Sequence, residues 1–248
     1  MSKRLCFGFA VLEISYWCFH ASFIGFASAY LLHRGISNTM LSLLVAIFLF
    51  CAFLGSFFWG GLCDKFQTNR NLIVILFLIG LAIAPLNNLK IIILENVGGN
   101  VSDIGIDSFI GAMTQVPLLA LAGKTHKIPQ RIRYLLMSIL PLCMLLLTFF
   151  AVSPVMIFAG SCLNNIAYGI LLPTMRDVTE RNVEYRLRNL GHSLAEAVYT
   201  SLSGMMSLLY AGAIVDHLGV HAMLSVCIVI MGIPVIMSCL HREKIILN

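Results

Sequence analysis

The sequence predicts an all-α, polytopic membrane protein, a bundle of about eight transmembrane helices. Three observations carry that expectation. Eight apolar stretches divide the chain, and 59% of its residues are hydrophobic against 11% charged, with mean hydropathy +0.93. Soluble domains sit near ~45–50% apolar and ~25% charged. Finally, fourteen of the sixteen Lys and Arg residues fall on one side when the stretches are threaded alternately through a bilayer.

The stretches are 5–32, 40–62, 72–89, 104–123, 134–152, 155–175, 190–215 and 220–240. A span needs about 20 apolar residues at ~1.5 Å rise to cross ~30 Å of hydrocarbon. Most stretches reach that length; the third, interrupted by Pro85, Asn87, Asn88 and Lys90, is marginal. One face then collects Lys3 and Arg4; Lys65 and Arg70; Lys124, Lys127, Arg131 and Arg133; Arg176, Arg181, Arg186 and Arg188; Arg242 and Lys244. Only Arg34 and Lys90 lie opposite. Because Lys and Arg accumulate in cytoplasmic loops, the expectation is an integral protein of the plasma (inner) membrane with both termini cytoplasmic.

The same spacing argues against other classes. The +5 net charge is spread over juxtamembrane loops among apolar spans, which suits topology and lipid headgroups rather than nucleic acid. The first stretch carries an Ala27-Ser28-Ala29 cleavage-like pattern, yet it is too long for a signal h-region and contains Glu13 and His20. Seven of the eight cysteines lie inside stretches, with no C-x-x-C, so packing is their expected role and no metal or other cofactor is called for. No H-E-x-x-H or G-x-S-x-G motif points to an enzyme.

Between the stretches, Pro154 is placed to start a helix after a tight turn, and Gly98-Gly99 marks a turn in the external stretch 90–103. Pro117, Pro141, Pro173 and Pro234 fall within or near helix ends and predict kinks.

Polar groups at membrane depth are costly and read as functional by default. In the seventh stretch Asn189, His192, Ser193, Glu196, Tyr199, Thr200, Ser203 and Ser207 recur at intervals of three and four, one helical face. Weaker faces carry Glu13, Tyr16, Trp17 and His20 in the first stretch, Asp107, Gly111, Thr114 and Gln115 in the fourth, and Ser161, Asn164, Asn165 and Tyr168 in the sixth. Four such faces predict a shared cavity for a small, neutral, hydrogen-bonding solute such as a sugar or nucleoside. Helix packing is the competing reading. Tyr16, Trp17, His20, Gln115, Asn164, Asn165, Tyr168 and Tyr199 are its expected lining, and Glu196, Glu13 and Asp107 the expected proton carriers, because burial penalises a charged carboxyl.

The loop after the second stretch reads Gly60-Gly61-Leu62-Cys63-Asp64-Lys65-Phe66-Gln67-Thr68-Asn69-Arg70. It resembles the signature loop of the major facilitator superfamily, with Gly60, Leu62, Asp64 and Lys65 in place, Gln67 at the second glycine and Arg70 slightly late. Arg188-Asn189-Leu190-Gly191-His192-Ser193, then Gly212-Ala213-Ile214-Val215-Asp216-His217-Leu218-Gly219, resemble the last two spans of its sugar- and nucleoside-proton symporter branch. Gly111 to Pro117 is similar to that branch's eighth span, with Gln115 at an acid position.

The resemblance implies a partial major-facilitator fold. Residues 1–88 would be spans one to three, 89–103 an external junction, and 104–248 a five-helix bundle matching spans eight to twelve, with about four central spans of the twelve-span pattern absent. It also implies secondary transport, proton-coupled symport of a small polar solute, with Gly60, Asp64, Lys65 and Arg70 as a cytoplasmic latch. A second chain completing the bundle is then a conceivable partner, alongside solute, proton and lipid. The alternative expectation is a shortened, non-transporting membrane protein that binds a partner.

Overall fold

The computed structural model describes residues 26–60, 70–120, 125, 127–185 and 188–240. Among them the chain is helical throughout, with no strand. The helices are α1 (26–33), α2 (Asn38–Gly60), α3 (Arg70–Asn88), α4 (Lys90–Asn96), α5 (Val101–Ala120), α6 (Gln130–Phe149), α7 (Pro154–Asn182), α8 (Arg188–Ala197), α9 (Ser203–Leu218) and α10 (Val220–Leu240). A five-residue π-helix, Val198–Leu202, joins α8 to α9.

Five helical stretches, Asn71–Asn88, Gln130–Phe149, Pro154–Asn182, Gly191–Leu218 and Val220–Leu240, are long and apolar enough to cross a membrane. The apolar run Asn38–Leu54 in α2 is shorter. Large apolar side chains stand exposed along the bundle, among them Phe48, Phe109, Val229 and Ile236. An apolar exterior over helices of this length marks an integral membrane protein.

The marginal third stretch proves to be the centre. Leu72, Ile75, Leu76, Ile79, Ala82, Ile83 and Leu86 of α3 are all almost fully buried, at the three- and four-residue spacing of one helical face. α3 packs against α9, α10 and the π segment. Pro85 does not end it. A proline withdraws the hydrogen bond to the carbonyl four residues back, here that of Leu81, which instead accepts from the Tyr210 hydroxyl at 3.4 Å. Glycine explains how close α3 comes to its neighbour: a Cβ on Gly80 would lie 2.1 Å from the Tyr199 carbonyl oxygen, inside the π segment.

Helix ends follow the local chemistry. Gly98 takes φ +79 and closes α4, with Gly98 N–H donating to Glu95 O and Gly99 N–H to Leu94 O, the paired bonds of a left-handed helix stop. Asn100 Oδ1 then accepts from Ser102 N, and Asp103 Oδ2 from Asn100 N, a reciprocal cap on α5. Pro154 opens α7, as expected. α7 runs on to Asn182, absorbing much of the segment 176–189 that the sequence suggests is a loop.

Candidate functional site

α5 and α7 pack together, and they do so through their polar faces. Near the start of α5, Asp107 is buried and forms an ion pair with Lys90, the first residue of α4. Lys90 Nζ also lies 3.5 Å from Ser161 Oγ on α7. A Cβ on Gly111, one turn further along α5, would come within 2.8 Å of Asn165 Nδ2, so glycine is what admits the amide. That amide donates to Ser161 O at 2.8 Å. Thr114 Oγ1 donates to Ile110 O at 2.9 Å and approaches Cys162 Sγ at 3.6 Å. The line continues to Tyr168, whose ring centroid is 6.2 Å from that of Tyr199 in the π segment. Asp107, Asn165, Tyr168 and Tyr199 thus form one strip, with Gln115 and Asn164 partly buried on the same two helices.

The seventh stretch divides its polar face. Ser203 and Ser207 are fully buried, whereas Ser193, Glu196 and Thr200 are exposed; the Thr200 hydroxyl donates to the Glu196 carbonyl. Glu196 therefore lacks the burial that motivated its choice, and Asp107 has it. Glu13, Tyr16, Trp17, His20, Asp64 and Lys65 lie outside the described residues, while Gly60 closes α2 and Arg70 opens α3.

Asp107 has one oxygen to spare. Its Oδ1 is buried without a hydrogen-bond partner, while Lys90 holds Oδ2. Sequence reasoning leaves Lys90 on the external face as a topology charge and misses the pair. The available signal was Lys90 as the one cation between Arg70 and Lys124, for which a nearby acid is the cheapest partner at depth, although Glu95 and Asp103 were candidates as much as Asp107.

Further residues escaped the sequence reading as partners. Asp216, at the end of α9, caps α2: Oδ1 accepts from Asn38 N and Nδ2 at 3.2 and 2.7 Å, and Oδ2 from Thr39 N and Oγ1 at 2.7 and 2.5 Å. Gly212 brings α9 close enough, since a Cβ there would sit 2.4 Å from Ser42 Oγ. At the opposite end of α7, Arg133 of α6 is 1% exposed and donates through Nη2 to Asp177 Oδ2 at 2.8 Å, and Arg181 Nε donates to Asp177 Oδ1 at 3.0 Å. Asp177 is about 24 Å along the helix from Ser161 at the standard rise.

This is a helical integral membrane protein with a polar strip inside its bundle. No known protein family, curated protein or solved structure matches the chain.

Proposed function

We propose that the protein is a secondary transporter of the plasma (inner) membrane, with both termini cytoplasmic, that moves a small polar solute such as a sugar or nucleoside together with a proton. In this reading it is a shortened, major-facilitator-like body. The observation that carries the proposal is the meeting of the α5 and α7 polar faces, extended by Tyr168 onto Tyr199. Amide, hydroxyl, phenol and carboxyl groups in one strip at membrane depth offer donors and acceptors to a neutral solute. Asp107 is the proton carrier of choice. It is buried, its counter-ion is a flexible lysine, and protonation would release Lys90 and so loosen α4 from α5.

Purified protein in proteoliposomes, given labelled sugars and nucleosides with and without an imposed pH gradient, tests this. Gradient-driven uptake that is lost in Asp107→Asn and kept in Glu196→Gln is the expected result. Well-folded protein that accumulates no solute would overturn the proposal and leave the partner-binding reading.

A further inference from the structure

The end of α7 and the start of α8 carry more hydrogen-bond donors than partners. Arg188 and His192 stand one turn apart on α8, on one face. Between them is Gly191, where a Cβ would meet the Thr179 methyl at 2.7 Å, so Thr179 of α7 faces α8 at that level. Thr179 is 1% exposed. Arg188 Nε, His192 Nδ1 and Thr179 Oγ1 are all buried with no hydrogen-bond partner. The guanidinium of Arg188 is steadied by the Tyr185 ring, 5.4 Å away.

We propose that Arg188, His192 and Thr179 form a binding site for a phosphate group at the α7–α8 junction. Arg188 Nε and Thr179 Oγ1 each have an N–H or O–H to donate, as does His192 when its Nδ1 carries the proton. A phosphate supplies several acceptor oxygens and one or two negative charges, and guanidinium–phosphate hydrogen bonds are the strong, charge-assisted kind. Charge agrees. Arg176 lies near enough to act electrostatically on His192, and the nearby acid, Glu180, approaches from the other side of the ring, 3.8 Å from Nε2. Buried donors without acceptors are costly, and an incoming phosphate removes that penalty at three atoms.

The same chemistry has two sources, a phospholipid headgroup or a soluble phosphate. The inference rests on the protein being membrane-integral, which alkaline extraction of native membranes reports separately. Full-length protein in detergent, stripped of lipid, is titrated into inorganic phosphate, short-chain phosphatidylglycerol or phosphatidylcholine of equal chain length, and the ³¹P linewidth is followed. Saturable broadening by phosphate or by phosphatidylglycerol supports the site and tells which source it takes. Arg188→Gln should weaken that binding about tenfold, the loss of a charged hydrogen bond, and the near-isosteric Thr179→Val about threefold, with Arg131→Gln as wild type. Broadening by neither anionic probe, equal broadening by phosphatidylcholine, or wild-type affinity in well-folded Arg188→Gln or Thr179→Val protein overturns the proposal.

Discussion

The two ends of α7 solve the problem of buried charge in opposite ways. At the Lys90 end the buried acid, Asp107, is matched by a single ammonium. At the Arg133 end, cations outnumber acids. Asp177 serves two arginines, and Arg133 Nε and Nη1 are still buried without partners. A matched end holds helices together, whereas an end with surplus donors is prepared for an anion. Both can belong to one bundle because a buried charge needs a partner, and that partner can be internal or external.

Removing one partner at the matched end should have the largest effect. Lys90→Met leaves a carboxylate that is 3% exposed with no counter-ion, a loss of about 3–5 kcal/mol. Thermal denaturation in detergent should show it, and adding Asp107→Asn should recover most of it. A Lys90→Met protein that melts like wild type would break the comparison. Next comes Asp216→Ala, which strips the cap from α2 and should lower stability by about 1–2 kcal/mol. Arg133→Leu should cost less than Lys90→Met, about 1–2 kcal/mol. Asp177 keeps Arg181 and is 22% exposed, and two orphan donors vanish. Smallest of all are the glycine pair, about 1 kcal/mol each, since the atoms in the way belong to side chains. Gly111→Ala, displacing Asn165, should reduce solute uptake and spare phosphate binding; Gly191→Ala, displacing Thr179, should do the reverse. Equal effects of both on both assays would mean that the ends are not separate.

The polar faces of the fourth and sixth stretches were legible because helical periodicity is local: Asp107, Gly111 and Thr114 on one, Ser161, Asn165 and Tyr168 on the other. The structure packs these two faces against each other. The seventh stretch has an equally regular face, yet only its later part is buried. Periodicity reports which residues share a side of a helix, not what lies opposite, so Glu196 and Ser207 were indistinguishable. Lys90 was read as a loop charge for the same reason, its partner being seventeen residues away on another helix. Arg133 is harder still. It precedes Tyr134 at the margin of an apolar run, where a long side chain can reach the membrane surface or turn inward, and only α7 decides which.

By itself the sequence determined that the chain is helical and membrane-integral, where Pro154 begins a helix, where Gly98 and Gly99 turn the chain, and which polar residues share a helical face. Apolar length, helical period and the backbone freedom of glycine and proline all act within a few residues. Tertiary structure decided the pairings: Lys90 with Asp107, Tyr210 with the carbonyl freed by Pro85, Asp216 with α2, Thr179 against Gly191. It also made the marginal third stretch the centre of the bundle. In an apolar bundle a polar group takes whichever partner packing brings within reach, and packing depends on all the helices at once.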